Sequence, residues 1–167
     1  DRSYSTAQLS SKEIDYSRAL LQTETKEVGK QKVQIHRLSI PRGETFKVVL
    51  SEGTEVFLNS DSRLAYPTVF KGKERVVSLE GEAYFKVAKD AAHPFIVKSG
   101  NLQIRVLGTE FNVRSYSPTD VRVTLITGKV AVSDTCGVHS VEMVPGQSVQ
   151  LSSDGTFAVN EVDLSLI

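Results

Sequence analysis

The chain has 167 residues, 20 lysines and arginines against 20 aspartates and glutamates, and an apolar share of 40 %. That length suits one domain with a real core, the zero net charge offers no excess to draw nucleic acid or anionic lipid, and no apolar run of about 18 residues is present to cross a bilayer. Cys136 is the only cysteine, which excludes an intrachain disulfide and a cysteine-based zinc site.

Residues 1–32 are polar and show no alternation, and residues 1–6 lack the charged and apolar regions of a signal peptide. Ser10 and Glu13 have capping-box spacing. Ile14, Ala19, Leu20 and Leu21 would then line a narrow stripe on a short helix over 11–22; a frayed lead-in is the alternative. Residues 23–32 read as a linker.

From Val33 onward period-2 alternation dominates, which marks half-buried strands. Val33, Ile35, Leu38 and Ile40 form a first run, and Phe46, Val48 and Leu50 a second. Val56 and Leu58 follow, then Leu64 and Tyr66 before Pro67, which cannot donate to a ladder and favours a strand edge or end. The stretch 75–87 is the most regular. Val77, Leu79, Ala83, Phe85 and Val87 share one parity, with Gly81 in the remaining place, while Ser78, Glu80, Glu82, Tyr84 and Lys86 hold the other. That pattern predicts a sheet packed on one face and wet on the other, bent at Gly81.

Later the phase slips twice. Leu102, Ile104 and Val106 are even and Phe111 and Val113 odd, so a bulge or corner is expected at Gly108–Thr109. A second slip falls near Gly128. Six glycines open alternating runs: Gly53, Gly81, Gly108, Gly128, Gly146 and Gly155. Their spacing is irregular, so a strict repeat is not supported. No long helical pattern separates the strands, which argues against parallel βαβ units. The expected fold is all-β: a single domain of short strands over 33–160, wrapped as a β-solenoid-like body or a two-sheet sandwich, with 161–167 leading away.

Chemistry is sparse. His36, His93 and His139 are far apart in sequence, with no histidine or cysteine at ligand spacing, and read as solvated or loop residues. His93 precedes Pro94 in a turn. Glu80 and Glu82 project to one side of a strand, as paired acid–base carboxylates would. With Lys86 on the same side and Arg75 near the strand start, a charged solvent face with cross-strand ion pairs is the better reading. No Gly-x-Ser-x-Gly elbow and no phosphate-cradling loop occur. Cys136 beside Gly137 reads as an exposed loop thiol. No catalytic residue, cofactor or metal is expected, and such a body is a binding or structural module.

The wording of the alternating runs carries a resemblance. Leu50-Ser-Glu-Gly-Thr-Glu-Val-Phe-Leu-Asn59 with Ser62-Arg-Leu-Ala-Tyr-Pro67 is similar to one block of the FecR family. Arg75 to Asp90, His93-Pro-Phe-Ile-Val97, Val106-Leu-Gly-Thr-Glu-Phe-Asn-Val113, Thr124-Leu-Ile-Thr-Gly-Lys-Val-Ala-Val132 and Val144-Pro-Gly-Gln147 resemble the blocks that follow, in order, over about 41–151. Ser51-Glu52 stands where the family commonly has Pro-Asp, and Phe57 where a Trp is frequent. The motif residues are Gly53, Thr54, Asn59, Pro67, Gly81, Glu82, Phe85, Gly108, Thr109, Phe111, Asn112, Gly128, Pro145 and Gly146, all expected to be structural.

The resemblance implies the periplasmic, signal-receiving domain of a single-pass inner-membrane anti-sigma factor, of the style found in Bacteroidetes. Its expected partners are the signalling domain of a TonB-dependent outer-membrane receptor and, through a cytoplasmic region outside this sequence, an extracytoplasmic-function sigma factor. Iron or glycan uptake would be regulated. Residues 1–32 would be a membrane-proximal stalk, joined to a membrane span not in this sequence, and 161–167 the start of a linker to a C-terminal domain. Contact would use an exposed strand edge or the face of Glu80, Glu82, Tyr84 and Lys86. A β module binding a small ligand or glycan directly is the alternative.

Overall fold

Fourteen strands are hydrogen bonded into one continuous sheet in the computed structural model, which describes residues 20–28, 31–137, 139–152 and 154–163. They are β1 (Leu20–Val28), β2 (Gln31–Ser39), β3 (Phe46–Val49), β4 (Glu55–Leu58), β5 (Arg63–Pro67), β6 (Arg75–Lys86) and β7 (Phe95–Ser99). There follow β8 (Leu102–Val106), β9 (Glu110–Ser117), β10 (Asp120–Thr127), β11 (Val130–Asp134), β12 (Ser140–Met143), β13 (Gln147–Leu151) and β14 (Phe157–Glu161).

The sheet is folded on itself along β6. Its first half runs β1-β2-β5-β6-β7-β8-β11-β12. Its second runs β3-β4-β6-β9-β10-β13-β14. The two halves use different parts of the shared strand: Ser78, Leu79 and Glu80 pair with β5, whereas Gly81 to Lys86 pair with β9. The bend falls at Gly81, whose φ of 100° lies where L side chains are disfavoured.

The bend also explains the one parallel pairing, β6 with β7. Parallel neighbours ordinarily need a long crossover. Here residues 87–94 suffice, because the C-terminal half of β6 has already turned back toward the strand's beginning.

The inward face is the alternating apolar set. Val77, Leu79, Ala83 and Phe85 of β6 are buried together with Phe95, Ile104, Phe111, Val123 and Val132 from both halves. Phe85 stacks on Phe111, its neighbour in the second half, at 5.0 Å and meets Phe95 of the first half edge-on at 6.2 Å, so an aromatic contact joins the halves. Each such pair adds about 0.5–1.5 kcal/mol beyond the area it buries. The expected all-β body is thus a folded two-half sandwich, with no helix among the described residues.

The two phase slips are the corners where the chain changes halves. Gly108–Thr109 carries it from β8 to β9, and Gly128 from β10 back to β11. Thr109 and Gly128 meet there: the Thr109 hydroxyl donates to the Lys129 carbonyl at 3.2 Å. Gly108 has no positive φ; a glycine stands there because a Cβ would fall 2.8 Å from the Lys89 Cα.

Near the N-terminus the expectation fails. Residues 23–28 and 31–32 are not a linker, since they lie in β1 and β2, which pair antiparallel with Thr25 opposite Gln34. Of the helix expected over 11–22, residues 20–22 are strand, with Leu21 buried opposite Leu38. Residues 11–19 lie outside the described residues. Alternation is absent from β1 because Glu24, Thr25, Lys26 and Glu27 are all exposed.

Candidate functional site

The motif residues separate into a buried set that fixes corners and a surface set that meets on one face. The buried set centres on a side chain whose importance the sequence reading missed. Arg75 shares parity with Val77 and is only 2 % exposed, although a solvent face was expected for it. Its guanidinium pairs with Glu52 Oε2 and donates to the carbonyls of His93 (2.7 Å), Ala88 (2.8 Å) and Leu107 (3.3 Å). It also lies 5.3 Å from the Phe95 ring centroid. Glu52 in turn accepts from the Thr54 amide (3.0 Å) and hydroxyl (2.7 Å), and that hydroxyl accepts from the Ala88 amide (3.1 Å). The cluster pins the return from β6 to β7, and a charge this deeply buried persists only when paired and bonded. The parity of Arg75 was the signal that could have found it.

The surface set lies on the outer side of the second half. Asn59 at the end of β4 and Asn112 on β9 flank Glu82 on β6, and each amide donates to one carboxylate oxygen at 3.0 Å. Beside them Tyr84 donates to Glu110 Oε2 at 2.6 Å. Burial first, and then the hydrogen bond and charge of Glu110, push the Tyr84 phenol up to about 12, so it remains a neutral donor. Phe57 meets Tyr84 edge-on at 6.1 Å, with the Lys47 and Lys86 ammonium groups over its ring at 5.3 and 5.7 Å. A groove of about 350 Å³ runs between β3, β4 and β6.

The proposed partner face is therefore divided. Glu82, Tyr84 and Lys86 are together, but Glu80 lies across the bend and faces Arg63 of β5 at 3.9 Å, both largely exposed. Glu80 takes no hydrogen bond from the backbone of the bend; Ser62 fills that place. Its hydroxyl accepts from the Glu82 amide (2.9 Å) and donates to the Glu82 carbonyl (3.1 Å).

The three histidines differ from one another. His93 is exposed in its turn, with Nδ1 2.8 Å from Asp90. That hydrogen bond is the main reason the Asp90 carboxyl sits below the usual range. His139 is exposed beside Asp134 at 2.9 Å. His36 contradicts the solvated reading: it is 3 % exposed on the inner face of β2, with Nδ1 unpartnered. Cys136 is exposed and free. Among the described residues, no three His, Cys, Asp or Glu side chains converge as a metal would require, and no helix is long and apolar enough to cross a membrane.

The remaining motif residues close strands. Pro67 ends β5, pairing with Ile35 of β2 and not with β6. Pro145 and Gly146 form the turn before β13, where the Gly146 amide donates to the Leu125 carbonyl at 3.0 Å.

The FecR protein family profile matches residues 36–131. Two crystal structures of a candidate anti-sigma factor from Parabacteroides distasonis ATCC 8503 share the fold. One has a TM-score of 0.73 at 33 % identity over 77 % of this chain. The other has a TM-score of 0.72 at 33 % identity over 76 %. The chain spans 61 % and 60 % of the length of those two proteins. No functionally curated protein sequence is significantly similar to it.

Proposed function

The chain belongs to the FecR family, and on that premise we propose that it is the signal-receiving domain of an anti-sigma factor. In this reading the domain stands in the periplasm, tethered to the inner membrane by a span outside this sequence. It takes a signal from the signalling domain of a TonB-dependent outer-membrane receptor. An extracytoplasmic-function sigma factor is held by a separate cytoplasmic region.

The observation that carries the reading is the likeness, at 33 % identity over 77 % of the chain, to a candidate anti-sigma factor. The chemistry of the surface agrees with it. Glu82 is held by Asn59 and Asn112, and Glu110 by Tyr84, which leaves no carboxylate there poised as a base. Direct glycan binding in the same groove is disfavoured because two ammonium groups lie over the Phe57 ring that a sugar would stack on.

The test is calorimetry of the chain, and of the longer protein that contains it, against the purified signalling domain of its TonB-dependent outer-membrane receptor. Saturable one-to-one binding at micromolar concentration is expected. Absence of heat, with an unshifted sedimentation boundary for both forms, would overturn the proposal.

A further inference from the structure

A sheet with a packed inner face normally carries polar side chains outside. Most of the outer face here obeys: Arg63, Glu80 and Arg105 are exposed and charged. One region departs from it. Val33 and Ile35 of β2, Ala65 and Pro67 of β5, and Val76 of β6 project outward side by side, with Ile35 directly opposite Pro67. The region lies where β5 leaves β6. Their pairing ends at Ala65–Ser78, so Tyr66 and Pro67 have no β6 partner. Phe70, from the connecting loop, plugs the opening by meeting Phe95 edge-on at 6.1 Å. Val69 beside it is left 51 % exposed. The result is an open apolar basin of about 500 Å³.

Its rim is basic in a chain whose net charge is zero. Lys26, Lys71 and Lys98 surround it, and none of the three has a carboxylate partner among the described residues. Arg37 is paired with Glu24, and the one acidic rim residue, Glu74, is engaged by Arg105. An apolar floor inside a ring of unpaired cations selects an occupant with apolar side chains at its centre and carboxylates at its edges. The basin is about half open to solvent, which suits a segment of another protein better than a small enclosed ligand.

We propose that this basin on β2, β5 and β6 is the docking site for an acidic, apolar-centred polypeptide segment of a partner protein. On the reading given above, that partner is the receptor's signalling domain. The Glu82–Tyr84–Lys86 face, where Glu82 is already held by Asn59 and Asn112 and Tyr84 by Glu110, is then not the contact.

Two experiments test it on the full chain. In the first, a phage-displayed library of random peptides is selected on the immobilised protein, independently of any assumed partner. Enriched peptides with Asp and Glu flanking apolar residues are expected. Their binding should fall at least tenfold in the triple variant Lys26→Glu, Lys71→Glu, Lys98→Glu, and also in Val69→Asp. Enriched peptides without acidic residues, or binding retained in variants that melt as the parent does, would overturn the inference. So would a dimer abolished by the triple variant, or a crosslink from Lys71 into residues 1–19 of the same chain.

The second measures the signalling domain against the same variants, with Lys86→Glu as a control expected to bind like the parent. Loss in the basin variants alone, growing with salt, supports the site. Binding by the parent that all variants keep defeats the site and leaves the functional reading standing. No binding by the parent defeats that reading, while the peptide selection still decides the site.

Discussion

Ser62 and Gly81 are packed backbone to backbone: a Cβ at Gly81 would lie 2.8 Å from the Ser62 Cα, and the Ser62 hydroxyl bridges the amide and carbonyl of Glu82. This contact is the hinge between the two halves of the sheet. Gly81→Ala has to accommodate both a left-handed backbone and that clash, so a loss of about 2–4 kcal/mol is expected. Gly81→Val should cost more. Ser62→Ala removes the acceptor of the part-buried Glu82 amide, while the Glu82 carbonyl keeps the Asn59 backbone amide at 2.9 Å, and should cost about 1–3 kcal/mol. Urea unfolding midpoints read all three; a Gly81→Ala midpoint equal to the parent's would show that β6 does not bend there.

Arg75 supplies a second prediction. Replacing it by Met keeps much of its bulk but strands Glu52 and frees the carbonyls of His93, Ala88 and Leu107. Removing one partner of a buried pair costs about 3–5 kcal/mol, so Arg75→Met should be among the most damaging single changes. Glu52→Gln keeps one acceptor for Thr54 and should cost less. Thermal melts that ranked Glu52→Gln below Arg75→Met in stability would contradict this account of the cluster.

How far the fold was legible follows from where alternation is a faithful signal. β3 to β6, β8 and β11 alternate because one face of each meets the core, whereas β7 and β10 bury three residues in a row, and the corners at Gly108 and Gly128 announced themselves as phase slips. β1 was missed since Leu21 is buried near its start while Glu24, Thr25, Lys26 and Glu27 are exposed, so no alternation marks it. Arg75 and His36 were misplaced for a shared reason: residue type was weighed above parity. Both stand at inward positions: Arg75 shares the parity of Val77 and Leu79, and His36 that of Leu38 and Ile40, although Val33 and Ile35 in the same strand hold the opposite, outward parity. The meeting of Asn59, Glu82 and Asn112 could not be read from one strand at a time, because it depends on the pairing of β6 with β4 and β9.

That meeting gives a third prediction. Glu82 is an acceptor for two amides at once. Glu82→Gln turns one acceptor into a donor facing another donor, for an expected loss of about 0.5–1.5 kcal/mol. Asn59→Ala and Asn112→Ala should each cost no more than that. Because both amides act on one carboxylate, the double Asn variant should lose little beyond the sum of the singles. If Glu82→Gln abolished partner binding at unchanged stability, the surface set would be a contact and not a brace.

The last prediction concerns acid. His36 is buried on β2 with Nδ1 unpartnered, 5.5 Å edge-on from the ring of Tyr66, whose hydroxyl is also buried and unpartnered. Burial lowers the His36 pKa from its ordinary 6.5, and burial holds Tyr66 far into its protonated range. The folded state thus prefers neutral His36, whereas the unfolded chain protonates it near 6.5. The unfolded state binds more protons in that window, so stability rises with pH there. It is fully present above 6.5 and is lost as pH falls from 6.5 through the lower, folded-state value. His36→Phe removes the titration while filling the same space against Tyr66. The melting temperature of the parent should therefore fall more steeply than that of the variant between pH 7 and pH 5, and parallel curves would show that His36 does not titrate inside the fold.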